Sequence, residues 1–335
     1  MLNLKIIAEA AQGFEGKHNI AKKLLNAAIN AKSDSIKYQL VYADELCTKD
    51  YVHYKLFKSL EFKDAVWKSL KKIAIKNNIE LQFDIFGNKS LKLCEKLNIK
   101  TVKIHPTDIN NNGLLVSLSR SKIKNIILGV GGANYNEIIF ALNKLKKKNI
   151  ILMFGFQNYP TPAETNQLNR INSIKETLSK KFKNNITYGF ADHVHSNSML
   201  RYMIPATAVG AGFLYIEKHI TLKTKKKLED SETALYPKDF KIFCDSLRKS
   251  FLSLGNPLKN NFFGMSKEEL NYRNTIRRHV LTAKILKKGT IIKYQDLVLK
   301  RASENNGIKD INLVIGKKIN KTIKANEVLK KQYFK

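Results

Sequence analysis

Cysteine is nearly absent. Cys47, Cys94 and Cys244 are the only three in 335 residues, too few and too far apart for a disulfide framework or a thiolate metal site. A reducing, cytoplasmic setting is the expectation. Long apolar runs are missing too: none approaches the ~20 residues that a membrane span needs. The chain opens on the strand-like Leu4–Ala8 with no basic and apolar leader before it, so no membrane partner is expected. Acidic residues are scarce, with 28 Asp and Glu against 60 Lys and Arg, a formal net charge of +32. That balance would suit nucleic acid, a membrane surface or small anions. The cations, however, are spread along the whole chain, and only eight of the 60 are arginine, the residue that base and phosphate recognition favours. We read most lysines as solvated faces, with Lys146–Lys148 and Lys225–Lys227 as helix ends and loops. Nucleic acid is not expected as a partner.

What is present is a hydrophobic fraction of 43%, enough for a globular core, laid out as an alternation. Short β-rich runs fall at Leu4–Ala8, Ser35–Gln39, Glu80–Phe83, Thr101–Ile104, Asn125–Leu128, Ile150–Phe154, Thr187–Phe190 and Gly212–Ile216. Between them, Ile20–Ala31, Lys63–Lys76, Asn136–Lys146, Leu168–Phe182 and Met199–Val209 repeat apolar residues at i, i+3 and i+4, the helical period. Eight strand–helix repeats over roughly 250 residues predict an α/β chain folded as a (β/α)8 TIM barrel. A doubly wound open sheet would carry a Gly-rich first turn, and the first turn here reads Glu9-Ala-Ala-Gln-Gly13. The expected division is a catalytic barrel over 1–250, an irregular linker over 251–275 and a small β-rich domain over 276–335. Strands are expected there at Val280–Ile285 and Thr290–Lys293. A module of about 60 residues gains stability by docking on something larger.

In such a barrel the reacting groups gather where strands end. Those positions hold Glu9; Lys37 and Gln39; Asp84; Lys103, His105 and Asp108; Gln157 and Tyr159; Asp192 and His193; Glu217 and His219. Taken alone, a histidine there is an ordinary core or surface residue. Two on neighbouring strand ends beside acidic groups predict a metal site at His193 and His219. Imidazoles with waters and an oxygen ligand suit a first-row transition metal better than calcium. His105 and His195 are assigned only to the lining of the mouth. Lys37 and Lys103, set in otherwise apolar strands, predict an anion site, because a buried lysine needs a partner.

At these residues the chain resembles the sialic acid synthase family over nearly its full length. Ile7-Ala-Glu9 followed by Gly16 is similar to the family's opening, and Ile36-Lys37-Tyr38-Gln39 to its Lys-Phe-Gln strand. Tyr159-Pro-Thr-Pro162, Ala191-Asp-His193 and Ile216-Glu-Lys-His219 resemble three further signatures in order and spacing, with Asp230 eleven residues on. The tail from Arg277-Arg278 to Lys300-Arg301 looks like the family's C-terminal antifreeze-like (SAF, β-clip) domain. The resemblance implies condensation of phosphoenolpyruvate with an N-acylated mannosamine-type sugar to a nonulosonic α-keto acid. It implies a divalent metal on His193 and His219, manganese first, with magnesium or cobalt as alternatives. Glu9, Asp108 and Asp230 are the implied catalytic carboxylates. Lys37, Gln39, Lys103, Gln157 and Tyr159 are the implied substrate contacts. Arg301 would reach the sugar's N-acyl group from the partner's small domain in a domain-swapped homodimer.

The departures are local. The family places Ser or Thr hydroxyls around the phosphate, whereas Asp84, Pro106, Gly129 and Ala191 stand at the apparent equivalents, and Gly13-Phe14 replaces an Asn-His pair. An aspartate between two lysines would offset their charge, so Asp84 is expected to pair with Lys37 or Lys103. Thr107 and the Gly129–Gly132 loop could compensate as donors. Two other readings follow: a related barrel lyase or transferase with a different donor or aldolase-type chemistry, and a noncatalytic or nucleic-acid-binding basic protein, which would bind DNA weakly and with strong salt dependence.

Overall fold

Eight of the short apolar runs become eight parallel strands, each joined to the next through helix and loop. They are β1 (Lys5–Ala11), β2 (Ser35–Leu40), β3 (Glu80–Ile85), β4 (Thr101–Ile104), β5 (Asn125–Gly129), β6 (Asn149–Phe154), β7 (Ile186–Asp192) and β8 (Tyr215–His219). Each pairs with its sequence neighbour, and β8 returns to β1, so the sheet closes into a barrel. A computed structural model describes residues 3–155, 158–179, 181–182, 186–224, 226–255, 264–304 and 306–334. Among these, no helix is long and apolar enough to cross a membrane. The (β/α)8 expectation holds.

The period of two along each strand sorts residues between two environments. Ile6, Ala8, Ile36, Phe83, Val102, Ile126, Leu128 and Phe190 face outward into the main core. There they meet helix stripes at helical spacing: Ala21, Leu24, Leu25 and Ala28 of His18–Asn30; Trp67, Leu70 and Ala74 of Asp64–Lys76; Phe240, Phe243, Cys244 and Leu247 of Pro237–Ser253. Each buried Leu, Ile, Val or Phe among them contributes about 1.5–3 kcal/mol on burial, and each alanine methyl less. Phe14 joins this layer, fully buried against Tyr38, Phe62 and Trp67 at centroid distances of 5.0–5.8 Å. The second residue of the Gly13-Phe14 pair thus belongs to the core.

Inside the barrel a small apolar cluster, Ile7, Ile127, Ile151, Met153 and Ala191, fills the middle. Towards the strands' N-terminal ends, Asp34 accepts from Lys5 Nζ (3.2 Å) and from Arg248 Nη2 (2.9 Å), tying the first strand to the last barrel helix. Towards their C-terminal ends the interior turns ionic.

Most strand bounds shift by one to three residues, and two elements depart further from the sequence reading. The eighth strand was expected at Gly212–Ile216 and lies at Tyr215–His219. Gly212 takes φ 96°, a conformation glycine accepts without Cβ strain, and ends the turn after helix Leu200–Gly210, so the strand begins later and runs on through charged residues. The expected irregular linker contains a helix, Lys267–Ile276, started by Ser266, whose hydroxyl accepts from the Glu269 N–H, with Glu268 and Glu269 in the first turn.

The chain divides into two compact units, Met1–Gly255 and Asn256–Lys335. The second has its own core of Val280, Leu286, Ile292, Val314, Ile319, Ile323, Leu329 and Tyr333. Its strands β9 (His279–Thr282) and β10 (Leu297–Lys300) pair antiparallel. Thr290–Lys293, expected as a strand, forms only the isolated bridge Ile291–Lys318 and turns Ile292 inward.

Candidate active site

At the C-terminal mouth of the barrel, inward-facing positions of five strands carry charge. Lys37 from β2 meets Glu9 Oε2 of β1, Asp84 Oδ2 of β3 at 3.2 Å and Glu217 Oε2 of β8 at 3.6 Å. Lys103 from β4 meets Glu217 Oε1 at 2.7 Å. All five are buried, none more than 3% exposed. Burial pushes the Glu217 carboxyl up, but Lys103 and Lys37 outweigh it and hold it at about 2. Burial likewise depresses both lysines; for Lys103 the neighbouring Asp84 and Glu217 more than reverse this, and the ammonium is held above its ordinary range. For Lys37 burial prevails. Asp84 pairs with Lys37, as its place between the lysines suggested. Three carboxylates against two ammoniums leave no surplus positive charge in this layer.

A bulge in β1 shapes the adjoining wall. The pairing with β2 shifts register between Glu9 and Ala11, and Ala11 takes φ 42°. Its N–H donates to Glu9 Oε1 at 2.7 Å, which holds both the strained backbone and the carboxylate in place. Gln12 donates to Gln39 Oε1 (2.8 Å), fixing that side chain at the rim.

Above the ionic layer stand the two histidines. His219 ends β8, directly beside Glu9 in the β1–β8 register, and His193 follows β7. Their rings lie 5.4 Å apart, and Tyr159 packs edge-on over them at 4.9 and 5.8 Å. Burial lowers His193 to about 3; burial and its neighbour His193 hold His219 well below the usual imidazole range. Both are therefore neutral near pH 7, the form that binds metals. Among the described residues His193 Nδ1 is buried without a hydrogen-bond partner, and Glu217 Oε2 has no hydrogen bond beyond its 3.6 Å ion pair with Lys37. Neutral paired imidazoles with a buried unpartnered nitrogen fit a bound cation. Among the described residues no group of three or more His, Cys, Asp or Glu side chains forms a complete cage. A cation here would take its remaining ligands from water and substrate.

The cavity thus gathers Glu9, Gln39, Asp84, Lys103, Tyr159, His193 and His219, together with Ala11, His105 and Glu217, while Lys37 lies beneath it. Other candidates lie elsewhere. Asp108 sits in the short 3-10 turn Pro106–Asp108, beside the cavity, and accepts from Asn111 Nδ2 at 2.9 Å. Asp230, at φ 60°, lies beyond β8; burial, and after it Asp230, raises the Tyr159 phenol, while burial, then Glu229 and Glu232, push the Asp230 carboxyl up to about 6. Asp192 turns outward and is spent on Lys218 at 2.6 Å, both fully buried. Arg301 is exposed on the second unit, and Gln157 lies outside the described residues. Glu217 was noted as a strand-end acid, but its position between the two lysines was not foreseen. The signal was its spacing, since i and i+2 on one strand share a face and His219 had already fixed which face.

The NeuB family model matches residues 24–259. An N,N'-diacetyllegionaminic acid synthase of Campylobacter jejuni is 29% identical over 97% of this chain and 98% of its own length. An uncharacterised protein of Methanocaldococcus jannaschii is 28% identical over 97% and 92%. Among solved structures, an N-acetylneuraminic acid synthetase from Leptospira borgpetersenii in complex with citrate superposes with a TM-score of 0.71 at 27% identity, covering 82% of this chain and 93% of that one.

Proposed function

The chain belongs to the NeuB family, and on that premise we propose that it condenses phosphoenolpyruvate with an N-acylated mannosamine-type sugar to a nonulosonic α-keto acid. In this reaction C3 of the enol phosphate bonds to the aldehyde carbon of the open-chain sugar. Water adds at C2, and inorganic phosphate leaves. The observation that carries the reading is the pair of neutral imidazoles, His193 and His219, set 5.4 Å apart above a buried lysine–carboxylate layer at the C-terminal mouth of the barrel. The Campylobacter synthase, matched from end to end, supports the substrate class.

A divalent cation on His193 and His219, manganese first, would act as a Lewis acid on the aldehyde oxygen and lower the pKa of a bound water. Glu9, held rigid by the Ala11 N–H, stands beside that position. Lys103 lines the cavity on the side of the donor's anionic end, with Lys37 beneath it, both already paired with carboxylates. Asp108 offers a carboxylate beside the reacting carbons. Asp230, with its carboxyl near 6, exchanges protons near neutral pH. Gln39 and Tyr159 complete the sugar's surroundings.

The deciding experiment is a phosphate-release screen of acylamino sugars with phosphoenolpyruvate and manganese. Release that depends on both the sugar and phosphoenolpyruvate supports the reading. If condensation proceeds with pyruvate and releases no phosphate, the chemistry is of the aldolase type. Asp84, Pro106, Gly129 and Ala191 in place of hydroxyls are what make that arm worth running.

The second unit, read as an antifreeze-like module, would supply Arg301 in trans to a partner's barrel. Arg301→Ala and His193→Ala homodimers should each be inactive. Mixed chains should recover about a quarter of the wild-type rate, because one site in a hybrid dimer then holds both intact residues. No recovery after subunit exchange demonstrated by mass spectrometry would place Arg301 outside the partner's site.

A further inference from the structure

This inference rests on the proposed function and concerns how the anionic donor is held. Side chains alternate across a strand, so His105 shares the inner face of β4 with Lys103 and stands one step nearer the mouth. Its ring lines the cavity with Asp84, Lys103 and Glu217, and leans on Phe86 at a centroid distance of 6.0 Å. Nδ1 is already engaged: the Thr107 backbone N–H donates to it at 3.5 Å, and the Thr107 hydroxyl lies 2.9 Å away. An accepting Nδ1 places the ring proton on Nε2. Burial, opposed by Asp84, keeps the imidazole below its ordinary range, so the ring is neutral and this arrangement persists at pH 7. Among the described residues no protein acceptor meets the Nε2–H.

The neighbouring wall offers little else to an anion. Ile104 pairs with Leu128, which sets Gly129 beside His105. A Cβ on Gly129 would fall 2.6 Å from Pro106 Cδ, so the proline ring covers bare backbone where a side chain has no room. Ala191, part of the apolar cluster inside the barrel, carries only a methyl. Lys37 and Lys103 have their charge met by Glu9, Asp84 and Glu217. An incoming phosphate thus meets a wall without hydroxyls at three positions, and a neutral N–H donor at a fourth.

We propose that His105 binds the phosphate group of the enol phosphate donor through Nε2–H, supplying the hydrogen bond that Pro106, Gly129 and Ala191 cannot. Thr107 is the positioning residue that keeps the donor tautomer facing the cavity.

The test is calorimetric titration of the full chain, with manganese present, using phosphoenolpyruvate, inorganic phosphate and pyruvate as separate probes. His105→Ala should weaken phosphoenolpyruvate and phosphate roughly tenfold or more, the scale of one hydrogen bond to a charged group, and leave pyruvate unchanged. His105→Gln, which keeps a side-chain N–H, should recover part of the loss. In turnover, the KM for phosphoenolpyruvate should rise while kcat and the KM for the sugar hold. Unchanged phosphoenolpyruvate affinity in His105→Ala overturns the proposal. So does an equal loss for pyruvate, or an equal loss in both variants with melting temperatures intact. Should the natural protein turn over no phosphoenolpyruvate, the functional reading fails by itself, and the phosphate titration still decides whether His105 holds the anion.

Discussion

Replacing His219 by alanine should abolish manganese binding and nearly all turnover. The natural chain loaded with manganese and desalted should retain one equivalent per chain; His219→Ala and His193→Ala should each retain close to none. With only two imidazoles from the protein, losing one removes half of the side-chain ligands, and no third acidic or cysteine ligand stands ready among the described residues. Lewis-acid stabilisation contributes several kcal/mol to the barrier, and each 1.36 kcal/mol is tenfold in rate, so the fall should reach about a thousandfold or more. His195→Ala is the matched control. Its ring is exposed, and its Nδ1 only accepts from the Asn197 N–H, so metal content and rate should stay as they are. Full metal retention in both cavity variants would remove the assignment.

The second large effect is on stability, and it runs with pH. Lys37→Met leaves Glu9, Asp84 and Glu217 buried with Lys103 as the sole counter-charge. Breaking a buried ionic cluster by removing one partner costs about 3–5 kcal/mol, because an uncompensated charge remains in low dielectric. In the natural protein Glu217 is held at about 2, below its unfolded value. Its contribution is therefore present above the unfolded value near 4 and is lost as pH falls towards 2. In Lys37→Met the stranded carboxyls should rise above their unfolded values. Such groups favour the folded state in acid and lose that support as pH rises through the folded pKa. Urea unfolding at pH 5 and pH 8 should then show the variant's deficit widening with pH. A deficit under 1 kcal/mol at pH 8, or one that narrows, would mean that the layer is not charged as its geometry indicates.

How far the sequence could be read depended on what each residue was doing. Apolar alternation located the strands wherever hydrophobic burial alone drives them, as at Thr101–Ile104. It cut β8 short because Glu217, Lys218 and His219 look like loop residues until their partners are known. Lys218 is buried by grace of Asp192, and Glu217 by grace of Lys37 and Lys103, partners 26, 180 and 114 positions away in the chain. No local pattern encodes a pairing at that range. The same gap explains Asp192, which sits at a strand end beside His193 and was grouped with the site. The side-chain period of two, applied strictly, already places it on the opposite face. His105 was left as mouth lining because one histidine after a strand says nothing until the hydrogen bond at its other nitrogen is seen. The helix Lys267–Ile276 escapes for another reason: the Gly and Pro residues just before it suggest a linker, and they outweigh a short, weakly apolar helical pattern.

The seam where the barrel closes has a consequence for when this protein becomes competent. Glu9 lies on the first strand and His219 on the last, and they are brought side by side only by the β1–β8 pairing. Every residue between them must have left the ribosome before those two strands can meet, and Arg248 can reach Asp34 only later still. A nascent or truncated chain ending before His219 holds the lysines and most of the carboxylates, yet it lacks the edge that turns them into a site. The cluster at the mouth is thus the last part of the barrel that synthesis can complete, because its two ends belong to the first strand and the last.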